Sequence, residues 1–113
     1  MNAGDIYLAH FPFGGSAGRK LRPVLLLTDP IGTVPEVVTA CISSVIPNTS
    51  LPSDVLIDPS HPDYQSSNLR MKSVLRLHKL ATIHCGAAVR FVGTVSATVL
   101  QTIRTTLCSM LNL

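Results

Sequence analysis

Two arginines, a histidine and two serines are the residues of this sequence best suited to chemistry. Arg22 precedes the apolar run from Val24 to Thr28. Ser43 and Ser44 close a second apolar run, and Arg76 and His78 stand two apart in a third segment, Ser73 to His78. Residues two apart on a strand point to one face, so Arg76 and His78 project together while Leu75 and Leu77 face the other way. A guanidinium grips a phosphate through paired N–H donors. A histidine exchanges a proton near neutral pH, because its ordinary pKa is about 6.5. The pair therefore suits phosphate chemistry, and its bland alternative is a solvated face of an amphipathic strand. His10 is a further candidate, and the plainer reading makes it a half-buried strand histidine.

Other chemistries find little support. The four histidines, His10, His61, His78 and His84, form no H-E-x-x-H or similar pattern. The cysteines Cys41, Cys85 and Cys108 have neither zinc-site nor C-x-x-C spacing, and are expected to be free, buried thiols in a reducing cytoplasm. No metal and no cofactor is expected. There is no P-loop, dinucleotide fingerprint or G-x-S-x-G elbow. With only six carboxylates in the chain, a glycosidase-type acid pair lacks support.

The elements that must position these residues follow from hydrophobic periodicity. Asp5 to Phe11 alternates as a strand, with Ile6 and Leu8 on one face and Tyr7, Ala9 and Phe11 on the other. Pro12 interrupts it. The stretch Gly14-Gly15-Ser16-Ala17-Gly18-Arg19-Lys20 is a glycine-rich loop ending in two bases, either an ordinary hairpin loop or a lid over a phosphate chain. Val24 to Thr28 reads as a buried central strand bounded by Pro23, Glu36 to Ser44 as a third strand and Ser53 to Asp58 as a short fourth. Pro59 to Asn68 reads as a loop with room for one helical turn. Ser73 to His78 and Ala88 to Val95 read as the fifth and sixth strands. The period then changes. Ser96 suits an N-cap, and Val99, Leu100, Ile103, Leu107, Met110 and Leu111 recur at helical spacing. Cys108 falls on the apolar side of that helix. The fold class is α+β: antiparallel strands followed by one amphipathic helix packed on the sheet.

The chain has 113 residues, is 46% hydrophobic and 13% charged, and holds no Trp. That composition suits one ordered domain spanning 1–113 and excludes a long aromatic stacking platform. The net charge of +3 leans mildly towards anionic partners and decides nothing alone. No apolar stretch approaches the roughly 20 residues needed to span a bilayer, so a soluble, cytoplasmic protein is expected.

Several segments together resemble the MazF/PemK-type toxins. Gly4-Asp5-Ile6-Tyr7-Leu8-Ala9-His10-Phe11-Pro12-Phe13 is similar to the opening strand of that family. Gly18-Arg19-Lys20-Leu21-Arg22-Pro23-Val24 is similar to its Gly-x-Lys-x-Arg-Pro motif, which leads into an apolar strand. His61-Pro62-Asp63-Tyr64-Gln65, Ser73 to Leu80, and Gly93 with Ser96 match in order and spacing. The likeness covers nearly the whole chain.

The resemblance implies a partly open, antiparallel, SH3-like β-barrel with a C-terminal helix, and a homodimer that binds single-stranded RNA. It implies a metal-independent endoribonuclease in which the ribose 2′-OH attacks its own phosphate, leaving 2′,3′-cyclic phosphate and 5′-OH ends. It also implies a cognate antitoxin whose acidic, disordered C-terminal segment blocks the site. By the same resemblance Arg22 grips the scissile phosphate, Ser43 donates to a non-bridging oxygen, and Arg76 stabilises the phosphate. Ser44 competes with Ser43 for that place through strand register. Arg19, Lys20, His10 and Lys79 are expected along the RNA path.

This sequence departs from the family at His78, where some members carry Asp for proton transfer. An arginine ordinarily stays protonated, and the proton-moving residue is open between His78 and Arg22. Asn68 replaces a frequent Gly, and Asn tolerates the left-handed backbone. Met71-Lys72 replaces the usual Lys-Pro. Two alternatives stand beside the nuclease. One is a non-catalytic poison of similar fold that binds DNA gyrase through a Trp-bearing helix end, which this Trp-free chain lacks. The other is an inactive antitoxin-binding or regulatory module.

Overall fold

The computed structural model describes residues 1–10 and 21–113. Six strands form one antiparallel sheet: β1 (Asp5–His10), β2 (Leu21–Leu26), β3 (Glu36–Ser43), β4 (Asp54–Ile57), β5 (Ser73–His84) and β6 (Ala88–Thr94). They lie in the order β4-β5-β3-β2-β1-β6. A one-turn helix α1 (Tyr64–Ser67) follows β4, a 3-10 turn (Cys85–Ala87) joins β5 to β6, and α2 (Ala97–Met110) closes the chain. The edge strands β4 and β6 do not pair with each other, so the barrel is partly open. The expected α+β class and C-terminal helix are what the chain adopts.

Each face of the curled sheet has its own core. On the outer face Ile6, Leu25, Ala40, Ile42, Leu75 and Leu77 are buried with Val95 and Ile103, and Val99, Leu100 and Leu107 of α2 pack against them. On the inner face Ala9, Val24, Leu26, Val37, Cys41, Ile83 and Ala88 are buried together. Alternate residues of each strand thus feed separate cores, as the two-residue strand period requires.

Two strands, β2 and β5, differ from the sequence expectation by more than one residue at an end. Strand β2 begins before Val24 and includes Pro23, which sits opposite Leu8 of β1. The Leu27 N–H donates to the Val38 carbonyl of β3, and alternate backbone groups of a strand point to the same side. The missing N–H of Pro23 therefore falls on the β3 side, where the β2–β3 ladder begins only at Val24. Strand β5 runs to His84, beyond the expected end at His78. Ala40 pairs with Leu80 and Cys41 with Arg76, so Leu77, His78 and Lys79 bulge out of the ladder with β3. The bulge breaks the alternation that reveals a strand.

The segment before β5 is a structural brace. The His61 Nδ1 accepts the Asp63 N–H at 2.9 Å, and the Asp63 carboxylate accepts the Ser96 N–H at 2.7 Å. Ser96 in turn caps α2, its hydroxyl accepting the Val99 N–H at 3.2 Å. Asn68 ends α1 at φ 54°, the left-handed conformation that Asn tolerates. Its Nδ2 donates to the Val92 carbonyl at 2.9 Å, and the Ser66 hydroxyl donates to the Thr94 carbonyl at 3.0 Å. Helix α1 thereby covers part of the β6 edge. Gly93 lies directly beneath it, and a Cβ there would overlap the Ser66 and Ser67 carbonyl oxygens.

Of the cysteines only Cys41 is buried; Cys85 is half-buried and Cys108 is exposed. The expectation of three buried thiols holds for Cys41 alone: it fails for Cys85, which lies in the turn between β5 and β6, and for Cys108 because α2 is amphipathic along a narrow stripe with only Ile103 fully buried. Among the described residues, no helix is long and apolar enough to cross a membrane.

Candidate active site

Strand register brings the sequence-predicted residues towards one another. Val24 pairs with Cys41, and Cys41 pairs with Arg76. Arg22 and Ser43 lie two residues beyond Val24 and Cys41 on their strands, so both share the inner face with that pair. Arg22, Arg76 and Lys79 are all close enough for their charges to act on the Cys41 thiol. Burial pushes that thiol up, and the three cations only partly offset it, so Cys41 stays protonated at neutral pH. The inner face therefore carries three cations around a neutral, buried centre.

Arg22 is half-buried near the start of β2, opposite Ala9. It makes no hydrogen bond or ion pair with the described residues. Its guanidinium is thus available to an anion. Ser43 ends β3, and its hydroxyl accepts the Val45 N–H at 3.1 Å. The hydroxyl hydrogen lies towards the Val45 carbonyl at 3.5 Å, a weak bond that a better acceptor displaces. Ser44 is exposed beyond the end of the strand, whereas Ser43 is half-buried and paired with Val74.

Arg76 is held. Its Nε donates to Asp54 Oδ1 at 3.0 Å and its Nη2 to Oδ2 at 3.4 Å, a bidentate clasp across the β4–β5 pair. The Asp54 side chain is 1% exposed and that of Arg76 is 17% exposed. Burial alone would raise the Asp54 carboxyl. The Leu51 N–H, the Arg76 guanidinium and the charge of His78 outweigh it and hold the carboxyl below its ordinary value. Arg76 keeps Nη1 for a phosphate, but it is a cation fixed by a carboxylate and not a free one.

His78 is exposed on the bulge, and its Nδ1 lies 2.8 Å from the Ser53 hydroxyl. The Leu77 N–H donates to the Ser53 carbonyl at 2.9 Å, which fixes the backbone on both sides of that contact. When Nδ1–H donates to Ser53, Nε2 keeps a free lone pair and can take a proton. Arg76 and His78 both act on Asp54, so they do face one region, though through the bulge and not through simple alternation. Lys79 is exposed beside them. His10 is exposed at the end of β1 and not half-buried, because it alternates away from buried Ala9. Arg19 and Lys20 lie among residues 11–20, outside the described residues.

Sequence reading missed Ser53 and Asp54. Their one visible signal is that a serine and a carboxylate open a short strand, and that is common. Among the described residues, no three His, Cys, Asp or Glu side chains converge as metal ligands.

Solved structures share this fold. The toxin MazF-mt6 of Mycobacterium tuberculosis superposes with a TM-score of 0.72 at 21% identity, over 96% of this chain and 97% of that one. An endoribonuclease from a mycobacterial species, solved with its cognate antitoxin, gives 0.68 at 18% identity, over 100% and 96%. MazF of Deinococcus radiodurans gives 0.66 at 18% identity, over 99% and 96%. A comparison with curated protein sequences gave no match. The sequence family described as PemK-like, MazF-like toxin of type II toxin-antitoxin system matches residues 2–111, so the chain belongs to that family.

Proposed function

We propose that this protein is a metal-independent endoribonuclease that cuts single-stranded RNA, the toxin of a pair whose antitoxin neutralises it. The observation that carries the reading is the inner sheet face, where Arg22, Arg76 and Lys79 gather around Cys41 with Ser43 beside them. A single-stranded RNA brings a phosphate to that face, and a free guanidinium is suited to grip it. The protein acts as one domain over residues 1–113, as a homodimer in the cytoplasm, and its antitoxin supplies an acidic, disordered segment that competes for the same cations.

The chemistry assigns each group a task. His78 Nε2 removes the proton from the ribose 2′-OH, with Ser53 holding the ring through Nδ1. The 2′-oxygen attacks phosphorus, the P–O5′ bond breaks, and the departing 5′-oxygen takes up a proton from water, while His78 gives its own proton back to solvent. Arg22 and the Nη1 of Arg76 meet the charge that builds on the phosphoryl oxygens, and Ser43 donates to a non-bridging oxygen. Histidine is preferred to Arg22 as the base because a guanidinium stays protonated.

The test is cleavage of a long single-stranded RNA in EDTA with mapping of the product ends. Cuts bearing 2′,3′-cyclic phosphate and 5′-OH, lost in Arg22→Ala, support the reading. Folded, antitoxin-free protein that leaves RNA intact overturns it.

A further inference from the structure

We infer that Asp54 is a positioning residue of the proposed cleavage: its carboxylate pre-sets the Arg76 guanidinium for the transition state and withholds one edge of it from the phosphate in the ground state; this rests on the nuclease reading. The side-on edge of the guanidinium, Nε and Nη2, is taken up by the two Asp54 oxygens at 3.0 and 3.4 Å. A guanidinium has a fixed fork of N–H donors, and those left to Arg76 are on Nη1 and the outer side of Nη2. Arg76 therefore meets a phosphate only through the end of its fork. Arg22, which makes no hydrogen bond or ion pair with the described residues, can present either edge.

The carboxylate is itself anchored. Its Oδ2 accepts the Leu51 N–H at 2.9 Å, and the Asp54 N–H donates to the Leu51 carbonyl at 2.9 Å, so reciprocal bonds close the turn from Leu51 to Asp54. Asp54 stands beside Arg76 in the β4–β5 register, and Arg76 stands beside Cys41 in the β5–β3 register. The clasp thus draws the guanidinium towards β4, away from β3 and from Arg22 on β2. The same turn holds His78, because the Ser53 hydroxyl lies 2.8 Å from its Nδ1. One closed turn restrains both groups that β5 brings to the site.

The two arginines then have different tasks. Donors fixed before the reaction stabilise developing charge without reorganising during it. Donors free to adapt bind the ground state as well as the transition state, and that uniform binding does not speed the chemical step. Arg22 is free and supplies the grip; Arg76 is clasped, and its benefit comes at the transition state. Releasing Arg76 should therefore tighten binding and slow cleavage together, a combination that an ordinary loss of structure does not produce.

Asp54→Asn tests this under conditions where a urea melt shows the variant fully folded. On single-stranded RNA its kcat should fall about tenfold, as for a misplaced catalytic group. Its Kd for a labelled single-stranded 2′-deoxy oligonucleotide, which lacks the attacking hydroxyl, should fall about threefold as the freed edge gains a phosphate contact. In an Arg76→Ala background the same substitution should change neither value, because its effect passes through the guanidinium. An unchanged kcat, an unchanged or raised Kd, or the same shifts in the Arg76→Ala background, as a simple loss of negative charge would give, overturns the inference. Wild-type protein that cuts no RNA overturns the nuclease reading; the Kd arm needs no cleavage and still decides whether Asp54 withholds Arg76 from an anion.

Discussion

Replacing Asp54 by Asn should destabilise the protein by about 2 kcal/mol at neutral pH, and the deficit should vanish in acid. The carboxylate accepts three hydrogen bonds: Arg76 Nε at 3.0 Å, Arg76 Nη2 at 3.4 Å and the Leu51 N–H at 2.9 Å. An amide keeps one acceptor oxygen and turns an NH2 towards a donor. Each bond to a charged group is worth roughly 1.5–3 kcal/mol. The 3.4 Å contact is weak, and the 17% exposure of Arg76 lets water replace part of what is lost. About 2 kcal/mol remains. At this chain length that corresponds to a fall in Tm of roughly 8 °C.

The pH dependence carries the sharper test. The folded carboxyl is held below its ordinary value. Its stabilisation is therefore complete above the unfolded pKa of about 3.9, and is lost as pH falls through the folded pKa. Urea melts of wild type and Asp54→Asn from neutral pH into acid should run apart down to about pH 3.9 and close progressively below it, converging only under the folded pKa. A gap under about 0.5 kcal/mol at neutral pH, the size of an ordinary surface substitution, refutes the clasp. So does a gap that persists undiminished in acid.

The other predictions address the proposed base, the brace and the thiols. His78→Ala should lower kcat about a hundredfold, in the range of general acid–base catalysis, and remove its limb from the pH–rate profile. Ser53→Ala should lower kcat by about tenfold at unchanged KM, since the ring loses its orienting partner; an unaltered pH profile in His78→Ala removes both residues from the mechanism. Gly93→Ala should cost about 3 kcal/mol in a denaturant melt, because the new Cβ must lift α1 off the Val92 and Thr94 carbonyls. A loss below about 1 kcal/mol, the net worth of a single hydrogen bond, means the segment is not braced there. In native protein a thiol reagent should label exposed Cys108 first and leave Cys41 unmodified until unfolding; equal rates contradict the buried position of Cys41.

Local features of the sequence carried much of the fold. Alternation marked β1, the three-four spacing marked α2, and Ser96 and Asn68 had the residue types their backbone positions require. What escaped lies in pairings between distant segments. The clasp joins Asp54 to Arg76 across 22 positions, and nothing near Asp54 distinguishes it from a solvated carboxylate. The second half of β5 was hidden because three bulged residues reset its period. The candidate site was legible only as residue types, with Arg22, Ser43, Arg76 and His78 singled out. Its restraints were not, because whether an arginine is free or clasped depends on the strand beside it.

The bulge at Leu77–Lys79 has a consequence for how such a protein changes over generations. His78 belongs to a strand yet lies outside the ladder with β3, and its side chain is exposed. Exchanging that side chain leaves the backbone pairing of the sheet and the burial of Leu77 intact. A single codon can therefore trade imidazole for carboxylate without breaking a hydrogen bond of the β3–β5 ladder, and under the proposed mechanism that exchange would move the working pH of the site. Arg76, two residues earlier, has no such freedom, because altering it strands the buried Asp54 charge. Neighbouring positions on one strand thus face different selective constraints, one adjustable and one fixed.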